Sequence, residues 1–122
     1  AAVAAGQQSA EALILTKRGL AYADLGDLDR ALEDHESARQ LAEELDLLDT
    51  RLGADVLVNM AISKAQSGIL EEAVASFEAA LAVLEDNELL ETDLGARVLQ
   101  NLSVAQAQMG DEEAAARSEA EA

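Results

Sequence analysis

A short motif returns in this chain at a constant spacing. It occupies residues 25–32, 67–74 and 109–116, and it places a glycine at positions 26, 68 and 110, two equal intervals of 42 residues. Each glycine ends one stretch of helical periodicity, and another stretch begins directly after it. Glycine enters the left-handed conformation without steric cost, so it suits a sharp turn between antiparallel helices. A fixed period with one helix–turn–helix per unit predicts a stacked repeat array.

The composition also predicts helices. Half of the 122 residues are apolar, yet the chain has one Phe, one Tyr and no Trp. Alanine and leucine therefore have to build the core, and these residues favour helices. Proline, which interrupts helices, is absent. We expect an all-α stack of antiparallel helix hairpins with about three repeats.

The period divides the chain into a short lead, residues 1–8, and three units at 9–50, 51–92 and 93–122. Ser9 is expected to cap the first helix and Asp27 the second, because their side chains can accept hydrogen bonds from free backbone N–H groups. The second helix is expected to run to about residue 45, and the later helices near 50–67, 70–86, 92–109 and 112–120.

Two pairs of residues repeat at the starts of the later units. Thr50 and Thr92 are natural N-caps. Gly53 and Gly95 follow them inside the first turns, where glycine costs about 1 kcal/mol relative to alanine. We interpret these glycines as positions at which the backbone of a neighbouring helix comes close.

The formal net charge is −17, from 25 acidic and 8 basic residues. Nucleic acid and anionic membrane surfaces would be repelled, so neither is an expected partner. No apolar run reaches the roughly 18 residues that a membrane span needs. Acidic helix faces keep a repeat array soluble; a basic partner is the alternative interpretation. The first residues lack the positive charge of a signal peptide, and we expect a cytoplasmic location.

Residues for catalysis or metal binding are few. There is no cysteine, and His35 is the only histidine. The chain has no glycine-rich phosphate-binding motif. We therefore expect no enzyme activity, no cofactor and no metal site. His35 takes the repeat position that Phe77 takes in the next unit, which predicts a packed structural role.

The residues at fixed places in the units resemble the tetratricopeptide repeat, whose pattern is W-x2-L-G-x2-Y followed by A-x3-F and a further alanine. The matching residues are Gly19, Tyr22, Ala31 and Ala38 in the first unit, Ala73, Phe77 and Ala80 in the second, and Ala115 and Ala122 in the third. His35 stands at the position of the phenylalanine in the first unit, and Ala61 at that of the glycine in the second. The usual period is 34 residues; a period of 42 is similar to the longer-helix variant of kinesin light chains and many bacterial regulators. Armadillo and HEAT repeats have comparable periods, but glycine followed five residues later by alanine favours the tetratricopeptide pattern.

The resemblance implies a right-handed superhelix whose concave groove is lined by the first helix of each unit. The residues that it places in the groove are Lys17, Leu20, Asn59, Ile62, Arg97, Asn101 and Val104. Asn59 and Asn101 repeat at one position, with Lys17 at the equivalent position of the first unit, and are expected to donate hydrogen bonds beside an apolar strip. Alternatively, the two asparagines cap or bridge adjacent helices. Of the five positions of the family's carboxylate clamp only Asn59 and Arg97 match, so a clamp is not predicted.

The resulting functional expectation is a non-enzymatic module that binds a peptide or helix of another protein in its groove. The alternative is a regulatory or sensor segment of a larger signalling protein, packed on a neighbouring effector domain. A third possibility is self-association through the exposed ends of the array.

Overall fold

The computed structural model describes residues 2–110, with side chains from residue 7 onward. This part of the chain forms five helices and no strand. They are α1 (Ala2–Asp24), α2 (Leu28–Glu44), α3 (Arg51–Gln66), α4 (Leu70–Asp86) and α5 (Asp93–Gln108). The predicted all-α stack of hairpins is confirmed. The helix expected near 112–120 lies outside the described residues.

The helices form two layers that curve in one direction. α1 packs on α2 and α3 packs on α4, while α2 also packs on α3 and α4 on α5. The first helices contact one another, since α3 touches both α1 and α5, whereas α2 and α4 do not meet within the described residues. The first helices are therefore closer together than the second helices. The stack consequently curves with α1, α3 and α5 on its concave side.

The described helices end in one common backbone conformation. Gly26, Gly68 and Gly110 have φ angles of 85°, 81° and 82°, as predicted for turns that follow a helix. After α2 and α4 the same conformation is adopted by Asp46 and Glu88, with φ angles of 57° and 58°. The sequence did not indicate these two positions, because acidic residues enter the left-handed region at a steric cost.

Three of the predicted N-caps are present. The Asp27 carboxylate accepts a hydrogen bond from the Arg30 backbone N–H at 3.2 Å. The hydroxyl oxygens of Thr50 and Thr92 each accept one from the backbone N–H three residues later, at 3.5 and 3.4 Å. Ser9 is different, because α1 already begins at Ala2. The alanine-rich residues before Ser9 contain no proline and continue the helix, so the prediction that Ser9 caps α1 was wrong.

The interpretation of Gly53 and Gly95 also needs correction. A Cβ atom on Gly53 would overlap the backbone of Leu48, and one on Gly95 would overlap the backbone of Leu90. Both leucines belong to the connecting segment just before the helix and not to a neighbouring helix. The close approach thus folds each connection back onto the helix that it precedes.

The core lies between the two layers. Its main cluster joins residues of α3, α4 and α5, namely Ala54, Val58, Ala61, Ala73, Phe77, Ala80, Leu84, Leu94, Val98, Leu102 and Ala105. In the first unit His35 is fully buried. Its ring faces Gly19 so closely that a Cβ atom there would lie 2.6 Å from the His35 Cε1 atom. His35 thus has the packed position that its repeat place predicts.

Candidate functional site

A cleft of about 240 Å³ opens between α3 and α5. It lies on the concave side, because those two helices form the inner layer. Its lining residues are Ile62, Ala65 and Gln66 of α3, Phe77 of α4, and Asn101, Val104, Ala105 and Gln108 of α5. The cleft therefore spans the boundary between two repeat units.

The shape of the cleft follows from the sizes of the residues that line it. Ile62 and Val104 stand 42 residues apart, and the small side chains of Ala65 and Ala105 leave space beside them. Val104 is 53% exposed, a high value for a branched apolar residue. Ligand sites are concave and lined mainly by apolar side chains with a few polar groups, and this cleft has that composition.

The two predicted asparagine donors have different surroundings. Asn101 lines the cleft and is half-buried. Asn59, one repeat earlier, is only 8% exposed and does not line it. Neither amide has a hydrogen-bond partner among the described residues. Only Asn101 is thus an accessible donor next to apolar surface.

The other predicted groove residues are distributed along the inner layer. Lys17 is exposed and Leu20 half-buried on α1, and neither lines the cleft. Arg97 lines a separate cleft of about 250 Å³ together with Arg51, Asp55, Asp93 and Leu94. The structure therefore brings together three of the seven predicted residues: Ile62, Asn101 and Val104.

Sequence reasoning missed five lining residues: Ala65, Gln66, Phe77, Ala105 and Gln108. Gln66 and Gln108 lie one helical turn beyond Ile62 and Val104, on the same face. Extending the predicted stripe by one turn would have found them. Phe77 comes from the second helix, and its place below the cleft depends on packing between elements.

Burial changes the acidity of the carboxyl group in the second cleft. Desolvation raises the pKa of Asp55, and the nearby charges of Arg51 and Arg97 oppose that increase. Neither arginine forms an ion pair with another described residue. This end of the inner layer thus combines two basic groups with a half-buried carboxyl group.

The net negative charge is carried mainly by the outer layer. The helices α1, α3 and α5 contain four acidic and five basic residues. The helices α2 and α4 contain eleven acidic and two basic residues. The inner layer is therefore close to neutral, although the protein as a whole is strongly acidic.

The described residues contain no group of three or more His, Cys, Asp or Glu side chains placed to hold a metal ion. Two fully buried side chains in this part of the chain have polar atoms without a hydrogen-bond partner: His35 at both ring nitrogens and Ser63 at its hydroxyl. Both are fully buried, so neither can contact a ligand in the cleft. No described helix is long and apolar enough to cross a membrane.

The two curved layers and the inner cleft define a helical-repeat protein. Its family follows from comparison with known proteins: the tetratricopeptide repeat model matches residues 9–86. The chain therefore belongs to the tetratricopeptide repeat family, as its repeated residues predicted. This fold is that of a scaffold for protein–protein interaction.

The structure is similar to BtubC (BKLC) from P. vanneervenii, with a TM-score of 0.79 and 21% sequence identity. The match covers 88% of this chain and 43% of that protein, so the chain spans less than half of its length. At this identity the similarity shows a common fold. No curated protein matches the sequence.

Proposed function

We propose that the chain is a non-enzymatic interaction module that binds a peptide or helix of another protein in the cleft between α3 and α5. The observation that carries this proposal is the exposure of Val104 beside Ile62, above Phe77, on the concave side. Burying one apolar side chain of a partner there would contribute about 1.5–3 kcal/mol to binding.

The cleft also supplies polar groups that would orient a bound chain. Asn101, Gln66 and Gln108 have amides that can both donate and accept hydrogen bonds. An extended or partly helical segment has free backbone N–H and C=O groups that such amides can bind. The expected ligand thus has one apolar side chain in the cleft and backbone groups at the amides.

The charge around the cleft does little to determine which ligand binds there. Because the inner layer is nearly neutral, the acidic character of the protein does not by itself favour a basic segment in the cleft. A basic partner would instead be attracted to the outer layer of α2 and α4. We therefore propose an apolar anchor, and not a basic patch, as the feature that the cleft recognises.

The test is selection from a displayed peptide library on the purified chain, followed by titration of the selected peptides. Val104→Asp places a charge in the cleft at an exposed position, so it should leave the fold intact and weaken binding about tenfold or more. Leu25→Asp is the matched control, because Leu25 is 82% exposed and lies in a turn outside the cleft. Peptides that bind the wild-type chain and Val104→Asp equally would show that the cleft is not the binding site.

A further inference from the structure

In the described part of the chain, the second helix of one unit packs on the first helix of the next in two places. We call the packing of α2 on α3 the first seam and the packing of α4 on α5 the second seam. Val56 on α3 and Val98 on α5 are both 0% exposed, whereas Ile14, the equivalent residue of the first described helix, is 63% exposed. A side chain at this repeat position is therefore hidden only while a seam covers it.

The second seam is built from apolar side chains. Phe77 and Leu84 of α4 and Ala105 of α5 belong to one core cluster. All three are at most 1% exposed. Their side chains contain no polar atom, so burying them removes apolar surface from water without the loss of a hydrogen bond. The closed second seam is therefore favourable at each of these positions.

The first seam has a smaller or more polar residue at each of the three equivalent positions. These residues are His35 and Ala42 of α2 and Ser63 of α3, and all are 0% exposed. Both ring nitrogens of His35 and the hydroxyl of Ser63 are buried without a hydrogen-bond partner among the described residues. Each such atom has lost the hydrogen bonds that water would supply. Ala42 also buries less apolar surface than a leucine does.

The two seams therefore differ in free energy, although their helices have the same arrangement. The stability of a repeat array is approximately the sum of the stabilities of its units and of the contacts between neighbours. When the first seam opens, water can bind the ring of His35 and the hydroxyl of Ser63, which offsets part of the cost of opening. Opening the second seam exposes only apolar side chains at these positions. The contacts between inner helices are lost in either case, so the first seam is the easier one to open.

We propose that the fold has a built-in opening point at the first seam: the hairpin of α1 and α2 separates there from α3, while α3, α4 and α5 stay packed as one body. The opening uncovers Val56 and Ser63 on α3. It also displaces Lys17 and Leu20 of α1, which changes the concave side next to the cleft. The cleft itself lies within the body that stays packed, so this inference does not depend on the function proposed for the cleft.

Single cysteines can report the two openings separately, because the chain has no cysteine of its own. Val56→Cys places a thiol in the first seam, and Val98→Cys is the matched variant at the equivalent position of the second seam. Ile14→Cys gives the reaction rate of an uncovered thiol at the same repeat position. The measurement is the rate of alkylation of the folded chain by N-ethylmaleimide, followed by mass spectrometry. A pH of about 7.5 keeps a histidine with the ordinary pKa of about 6.5 mostly neutral, so the rates report packing and not titration.

The proposal expects Val56→Cys to react about tenfold or more faster than Val98→Cys, because the unpartnered polar atoms favour opening of the first seam alone. Equal rates would show that one global unfolding exposes both thiols, and would overturn the proposal, as would a faster reaction of Val98→Cys. Adding His35→Phe and Ser63→Ala to Val56→Cys gives the first seam the residue types of the second. The reaction should then slow about tenfold.

The reverse exchange tests the same cause in the other seam. Phe77→His with Ala105→Ser, added to Val98→Cys, gives the second seam the polar residues of the first, and the thiol should react faster by a similar factor. Circular dichroism shows which exchange variants remain helical. If their alkylation rates do not change, the polar residues do not determine where the array opens, and the proposal is overturned. If neither exchange variant folds, the comparison of Val56→Cys with Val98→Cys decides by itself.

Discussion

His35 takes in the first unit the place that Phe77 takes in the second, and its ring is fully buried. Burial lowers the pKa of His35, and the negative charge of Asp34 opposes this effect. Neither ring nitrogen has a hydrogen-bond partner among the described residues. The neutral form is therefore the one that the folded protein accommodates.

This burial makes stability depend on pH. In the unfolded chain His35 has its ordinary pKa of about 6.5, so between pH 7 and 5 the unfolded state binds more protons than the folded state. The stabilising effect of a neutral His35 is thus present above pH 6.5 and is lost as the pH falls below that value. We expect His35 to make the melting temperature of the wild-type chain fall, between pH 7 and 5, relative to that of a variant without the imidazole.

His35→Phe should remove this contribution. Phe77 packs at the equivalent position of the second unit, in which Ala61 corresponds to Gly19. Because glycine is smaller than alanine, the first unit should accommodate the phenylalanine ring. Asp34 and Glu36 have pKa values lowered by hydrogen bonds from Arg18 and Arg39, and their effects on stability occur at more acidic pH. These groups are present in both proteins. Thermal melts of the wild-type chain and of His35→Phe measure this difference. If the melting temperature changes equally with pH in both proteins between pH 7 and 5, His35 does not titrate as described.

At the scale of the elements, glycine has two different roles in the connections. Gly68 has a φ of 81° and no atom within 4 Å of the place where a Cβ would lie, so its role is conformational. Gly53 is helical, and a Cβ there would overlap the Leu48 backbone. Its role is steric. The turn within a hairpin and the connection between hairpins thus depend on glycine for different physical reasons.

We expect Gly53→Ala to destabilise the protein more than Gly68→Ala does. The cost of Gly68→Ala should be about 1–2 kcal/mol, the strain of alanine in the left-handed region. Gly53→Ala has to move the backbone of the preceding connection, which outweighs the gain of about 1 kcal/mol from the better helix propensity of alanine. Urea denaturation of both variants measures the difference. A more stable Gly53→Ala protein would mean that the connection moves at little cost.

The whole molecule separates its charges by layer. The outer helices α2 and α4 carry eleven of the 25 acidic residues, and two of these, Glu36 and Glu43, pair with Arg39 of the same helix. Exposed pairs of this kind contribute little to stability. Repulsion among the remaining carboxylates therefore acts mainly within and between the helices of one layer.

Salt should stabilise this arrangement. At about 0.1 M ionic strength the Debye length is near 10 Å, which screens carboxylates on neighbouring helices from one another. We expect the melting temperature to rise as sodium chloride is increased from low to moderate concentration. Sodium sulfate at equal ionic strength provides the comparison: equal rises in both salts indicate screening, whereas a larger rise in sulfate reports its exclusion from the protein surface. A flat or falling curve would show that the acidic residues are spaced widely enough to avoid repulsion.

The local chemistry of the chain was sufficient to predict the repeat, the alternation of helices and turns, and the caps at Asp27, Thr50 and Thr92. These features depend on residues close together in sequence: a glycine that ends a helix, a side-chain oxygen that caps the next, and an apolar period between them. The 42-residue spacing also predicted that similar units stack, because each hairpin has to bury its apolar face against the next.

Packing between helices decided the rest. Asn59 and Asn101 occupy equivalent repeat positions, yet Asn59 is buried while Asn101 lines an open cleft. Val56 and Ile14 are likewise equivalent, yet α2 covers α3 and no described helix covers the Ile14 face of α1. A repeat gives equivalent residues the same local conformation, but their exposure depends on which neighbouring helices are present. The accessible surfaces of this protein are therefore a property of its tertiary structure.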